Sequence, residues 1–244
     1  MSIDPMLDIP ALADASDITK YNWKNRGRAP IGYTRGMAVA FGREYCKLAA
    51  GRDAASEMAM ADSGDGASDA LAWYSAEFAA LGMDNSNTGN DVLRHLFVLL
   101  TGLGMRESSG QHCEGRDMSA TNVSAETAEA GLFQVSHNSI GAHFLLQSIY
   151  DQHRNLADFA DIFSTGVKCS PASWKNWGTG DGADFQALTK ACPAFAVEYA
   201  ALALRKLRTH WGPINRKAAE IRPECDDLFM QVASYIDDNA ITEI

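Results

Sequence analysis

Apolar residues recur along this chain at helical spacing, and polar runs punctuate them. Tyr33, Met37, Phe41, Tyr45 and Leu48 fall three or four residues apart, which predicts a core-facing helix beginning after Pro30. Ser63-Gly64-Asp65-Gly66 breaks the next stretch, and a second stripe of Leu71, Tyr74, Phe78 and Leu81 predicts a segment over 70–81, ended by Gly82 and the polar run 85–90. Asn90, a good N-cap, and Asp91 then open a helix through Leu93, Leu96, Phe97, Leu100 and Leu103 to Glu107. Val92, Val98 and Leu99 make that helix apolar on nearly every side, so it is expected to be central and buried.

Residues 108–129 are polar and weakly patterned, consistent with a short hairpin or an irregular loop walling a cleft. Helical periodicity returns at about 139–163, a Gly-, Ser- and Trp-bearing loop fills 166–182, and Pro193 starts a strong helix through Phe195, Tyr199, Leu202 and Leu207. Pro213 and Pro223 introduce two further helical pieces. With no internal repeat and no convincing alternation, the expected class is mainly α. Residues 1–30 read as an irregular arm bearing Lys20, Lys24, Arg26 and Arg28, and 31–244 as one helical domain, with a helical layer over 31–89 and a catalytic core over 90–244.

A net charge of -10 argues against nucleic acid or an anionic membrane surface as partner, since both need a basic footprint. No stretch approaches the roughly 20 apolar residues of a membrane span, and residues 1–15 lack the basic start and apolar core of a signal peptide. The five cysteines (Cys46, Cys113, Cys169, Cys192, Cys225) show no CxxC or His/Cys spacing, so no metal is expected, and His112, His137 and His143 are read as surface or structural. The cysteines are expected to be buried and reduced, with a Cys169–Cys192 bridge as the alternative in an oxidising compartment.

The chemistry concentrates at Glu107-Ser108-Ser109-Gly110. It puts one acid where a buried helix opens into a polar loop, the setting that keeps a carboxyl protonated near neutral pH. Glycoside hydrolysis needs such an acid to protonate the departing sugar oxygen. Together with Gly131-Leu132-Phe133-Gln134, this segment resembles the Glu-Ser-x-Gly and Gly-Leu-Met-Gln motifs of goose-type lysozymes and soluble lytic transglycosylases, over roughly residues 92–180.

The resemblance implies a lysozyme-like fold and cleavage of the β-1,4 bond between N-acetylmuramic acid and N-acetylglucosamine in peptidoglycan, without a cofactor. It makes Glu107 the general acid and Ser108, Gly131 and Gln134 lining residues of the groove. Lys175-Asn176-Trp177-Gly178 is the nearest match to the family's Tyr-Asn-Ala-Gly motif, which brings Asn176 and Trp177 to the substrate; Trp174 and Trp177 also offer stacking faces for sugars.

Three departures stand out. Lys175 replaces the tyrosine, 26 residues separate Glu107 from Gln134, and Ser136 follows the Gln-Val pair where goose-type enzymes often carry an aspartate. A second carboxylate must then come from Asp117, Glu126 or Glu129. Glu126 is favoured, because the family's second acid usually precedes the Gly-Leu-x-Gln turn by several residues. Glu129 reads as a structural partner of that turn, and Asp117 as a charge paired with Arg116.

The expected function is thus a muramidase reaching the wall by a non-classical route or at lysis. Transglycosylation, chitin or chitosan hydrolysis, and non-catalytic glycan binding are the alternatives.

Overall fold

The strongest apolar stripes become the helices that carry the core. The computed structural model describes residues 3–116, 124–154 and 156–244. The arm is not irregular: α1 (Pro5–Ala15) is a helix whose first turn is capped by Asp4, and a 3-10 turn follows at Asp17–Lys20. Ile9 and Ala13 of α1 are fully buried against the body. The arm's remaining residues fold back through a bridge between Trp23 and Gly27.

Helix α2 (Ile31–Ala49) runs along the core, followed by the short α3 (Asp53–Met58). The segment expected as one helix over 70–81 is two, α4 (Ala70–Trp73) and α5 (Ser75–Ala79), because the backbone at Tyr74 (φ -95°, ψ 11°) leaves the helical path. Helix α6 (Asn90–Ser108) is buried along most of its length, as its all-round apolar surface requires. Its cap is Gly89 rather than Asn90, one residue earlier than expected. Phe97 of this helix meets Phe41 of α2 with ring centroids 5.4 Å apart, and Phe229 packs on both rings at 4.9 and 6.0 Å.

Beyond the loop, a 3-10 turn at His137–Ala142 leads to α7 (Phe144–His153) and α8 (Ala160–Ser164). Helix α9 (Asp181–Ala191) has no counterpart in the apolar pattern, whereas α10 (Pro193–Lys206) begins at the expected proline. The two meet at 108° around Cys192. Phe185 of α9, Phe195 and Tyr199 of α10 and Tyr150 of α7 form a second aromatic cluster with centroids 5.2–6.0 Å apart. The chain closes with α11 (Gly212–Asn215) and α12 (Pro223–Asp238), which packs on α2 and α6 and supplies Phe229.

The described residues contain no strand, so the short hairpin considered for 108–129 is absent from its described part. One isolated bridge, Ala130 to Val135, instead closes a tight turn just after that segment. No single helix among the described residues is long and apolar enough to cross a membrane.

Arg205 and Asp69, both almost wholly buried, pair at 2.9 Å, and the same guanidinium donates to the carbonyls of Met58, Met60 and Ala61. A buried charge needs this degree of satisfaction. The pair fixes the loop before α4 on α10.

Candidate active site

The end of α6 sets the site. The Ser109 and Gly110 amides donate to the Met105 and Gly104 carbonyls, satisfying acceptors that a helix end otherwise leaves unpaired. Ser109 (φ 56°) and Gly110 (φ 75°) both take left-handed backbone. At residue 110 only glycine fits, since a β-carbon there would lie 2.8 Å from the Tyr33 ring and 3.0 Å from Pro30. The chain therefore turns sharply one residue after Ser108, leaving Glu107 half-buried at the rim of the core.

Ser108 does not face a groove. Its hydroxyl is buried, shares its one hydrogen between the Leu132 carbonyl at 2.8 Å and the Gly104 carbonyl at 3.1 Å, and accepts from the Gln111 amide at 3.1 Å. The expected substrate contact is corrected on that ground: the hydroxyl is fully used in tying the helix end to the 130–135 turn. That turn is stapled from every side. The Trp211 indole N–H donates to the Phe133 carbonyl at 2.7 Å, and the Gly131 amide donates to the Glu114 carbonyl at 2.8 Å. Gly131 (φ 77°) lies so close to the Thr189 carbonyl that a β-carbon would be 2.8 Å from it. Gly131 thus shapes the turn by letting backbone approach backbone.

Gln134, a non-glycine residue in the left-handed region (φ 48°), has its amide nitrogen bonded to the Gly131 carbonyl at 3.0 Å. Such a conformation costs of order 1–3 kcal/mol and persists where surrounding structure enforces it. The enforcing partners are the Ala130–Val135 bridge and His210, whose Nε2 lies 3.2 Å from the Gln134 carbonyl.

Burial lifts the Glu107 carboxyl from its ordinary 4.5 to about 7, and the negative charge of Glu129 adds to the rise. Arg26, Arg216 and Arg106 act in the opposite direction. Desolvation prevails over three cations, so a substantial fraction of Glu107 holds its proton at neutral pH. A half-buried acid in that state can pass a proton to an acceptor beside it and recover it afterwards.

The carboxylate whose charge reaches Glu107 is Glu129, not the favoured Glu126. Glu126 is solvent-exposed, and hydrogen bonds from Ser124 and from its own amide hold its carboxyl below the usual value. Glu129 precedes the bridged turn, 3.8 Å from His210 Nε2. Asp117 lies outside the described residues. Glu114, not anticipated from the sequence, is also pushed up by burial, with Arg26 opposing.

Asn176 and Trp177 are exposed on the neighbouring loop. Helix α9 organises that loop through two side chains one turn apart. Gln186 accepts from the Trp177 amide at 2.8 Å and shares its two amide hydrogens among the carbonyls of Ala125, Trp177 and Gly182, while the Lys190 amine donates to the Ser173 and Lys175 carbonyls. The first of these ties the loop to the Glu126–Glu129 segment. Trp174 and Trp177 are each 44% exposed; Arg116 stacks over Trp177 at 4.0 Å, and His112 meets Trp174 edge-on at 5.8 Å.

A disulfide joins the region after α6 to the same loop, pairing Cys113 with Cys169. The alternative partner, Cys192, is a buried free thiol at the α9–α10 junction. Cys46 and Cys225 are also buried and free, so the expected reduced state holds for three cysteines and is corrected for Cys113 and Cys169, which the fold brings together.

Sequence reasoning missed His210 and Arg216, which arrive from a segment some hundred residues downstream of Glu107, and Gln186 and Lys190, which lie in a helix without a clear apolar stripe. Arg26 was legible as a basic residue but not as a neighbour of the acid. A cavity of about 730 Å³ opens elsewhere, between α2, α7 and the C-terminal residues, and includes none of these groups. No family model, no curated protein and no solved structure matches this chain.

Proposed function

We propose that this protein is a lysozyme-like glycosidase that cleaves the β-1,4 linkage of peptidoglycan, with Glu107 as general acid. The observation that carries the reading is the state of Glu107: a half-buried carboxyl at a helix end, raised to about 7 and accompanied by a second carboxylate, Glu129. Glycoside hydrolysis asks for one acid kept neutral to protonate the bridging oxygen, which the state of Glu107 supplies, and for a second group to assist water or the oxocarbenium-like state. The motif resemblance supplies the substrate class, and the Ser108–Leu132 bond gives a physical reason for the two motifs to occur together.

In this mechanism Glu107 donates its proton to the leaving oxygen as the glycosidic bond breaks. Water, activated by Glu129 or preceded by attack of the substrate's own acetamido oxygen, then completes the substitution, and Glu107 regains a proton. Glu129 takes the role the sequence favoured for Glu126, because its charge acts on Glu107. Gln134, buried and bonded to the Gly131 carbonyl, holds the shape of the turn tied to the end of α6, and the exposed Trp177 and Asn176 offer a sugar platform.

The test is digestion of purified peptidoglycan followed by mass spectrometry. Reducing muramic acid ends are expected from the wild type and none from Glu107→Gln. A 1,6-anhydro product would identify a transglycosylase, release from chitin or chitosan alone would change the polymer, and binding without any product would make the chain a glycan-binding module. Undiminished cleavage by Glu107→Gln would remove Glu107 from the mechanism.

A further inference from the structure

His112, Cys113 and Cys169 take no part in the chemistry above, yet one ligand atom from each lies within 4.8 Å of the others. The sequence gives no hint of this set, because the third member arrives from 56 residues away. His112 is 3% exposed, so its ring cannot rely on bulk water for partners. Its Nδ1 faces the Lys190 carbonyl at 3.0 Å, and its Nε2 faces Cys169 Sγ at 3.7 Å. A carbonyl only accepts, so Nδ1 carries the hydrogen and Nε2 directs a lone pair at the sulfur. An imidazole anchored through one nitrogen on a backbone carbonyl, with the other directed at a cysteine sulfur, is the arrangement in which histidine ligates zinc once that sulfur is a thiolate.

We propose that when the Cys113–Cys169 disulfide is reduced, the two thiolates and His112 Nε2 bind a zinc-class divalent cation, with water completing a tetrahedron. The loop after α6 and the tryptophan-bearing loop are then clamped by metal under reducing conditions and by the disulfide under oxidising ones. Two thiolates and an imidazole select zinc or cobalt over magnesium or calcium, which prefer oxygen donors. Reduction obliges the sulfurs to separate, and a tetrahedral cation with metal–sulfur bonds of about 2.3 Å seats them roughly 3.8 Å apart. The steps balance. A dithiol reductant gives two electrons and two protons to the protein disulfide and becomes a disulfide itself, and the cation then displaces both thiol protons to solvent. This inference is independent of the glycosidase reading.

The experiment uses the full chain, reduced with dithiol, freed of reductant under anaerobic conditions, and titrated with cobalt(II). A thiolate-to-cobalt charge-transfer band should grow to one equivalent and vanish on adding zinc. The oxidised wild type, which keeps the same fold, should show no band. Cys169→Ser should lose the band although Cys46, Cys192 and Cys225 remain, and His112→Ala should weaken cobalt binding at least tenfold. X-ray absorption at the zinc edge of the reduced wild type should return two sulfur neighbours, which needs no variant to fold. No band in the reduced wild type, a band that survives in Cys169→Ser, unchanged affinity in His112→Ala, or a shell with a different sulfur count would each overturn the proposal.

Discussion

A single carboxyl, Glu107, bears opposite consequences for stability and for chemistry. Its value is raised from 4.5 to about 7 by burial first and by Glu129 second, so the folded chain binds a proton that the unfolded chain releases over that interval. Stability from this group is complete below about pH 4.5 and is lost as pH rises toward and through about 7. The rise corresponds to a ceiling of about 3 kcal/mol, and partial contact with solvent brings it to about 1–3 kcal/mol. Glu107→Gln removes the charge without changing shape, so the variant should melt several degrees above wild type at pH 8 and match it at pH 4. Thermal melts at the two pH values check this; equal melting at pH 8 would mean the carboxyl is not desolvated. On the proposed mechanism the same group sets the alkaline limb, and kcat/KM on wall fragments should fall above about pH 7 as the acid ionises.

At the level of elements, the apolar pattern marked α2, α6 and α10 because each has a face or a whole circumference to bury, and that demand is written in residue type, whereas α12 was announced only by Pro223. It also placed Glu107, since the apolar run of α6 stops there. What the pattern lacked was any record of backbone turns and late-arriving partners. Glu126 and Glu129 are three residues apart, and their different fates follow from the turn beginning at Ser124, which leaves Glu126 in solvent, and from the Ala130–Val135 bridge beside Glu129. Ser108 looked like a groove residue because the motif contains it; its three hydrogen bonds make it the pin between α6 and the turn. Ser108→Ala leaves the buried Leu132 carbonyl without its donor, at a cost of about 1–3 kcal/mol. Denaturant titration should show that loss, and kcat on wall fragments should fall more than KM changes, because the turn shifts relative to the acid. A variant of full stability with raised KM alone would instead put the hydroxyl against substrate.

Across the whole molecule, the N-terminal segment completes the electrostatics of a site whose acid lies more than eighty residues later. Tyr21 Oη and the Lys24 amide donate to the Glu220 carboxylate at 2.7 and 2.9 Å, and the Glu220 backbone packs against α6 so closely that a β-carbon at Gly102 would lie 2.2 Å from its carbonyl oxygen. This anchor sets the Trp23–Gly27 turn beside the end of α6, where the Arg26 guanidinium donates to Ser109 Oγ at 3.4 Å and to the Arg106 carbonyl. From there Arg26 opposes the rise in both Glu107 and Glu114. Arg26 is exposed, so its loss should change stability little while removing a positive charge that favours ionised Glu107. Arg26→Ala is therefore expected to hold the proton on Glu107 to higher pH and to move the alkaline limb of kcat/KM upward, by an amount that shrinks with added salt as exposed charges are screened. A pH–rate profile at low and high ionic strength measures both. An unmoved limb at low salt would mean that the arm shapes the fold without tuning its acid, and a limb moved equally at both salts would assign the shift to a change of packing and not to charge.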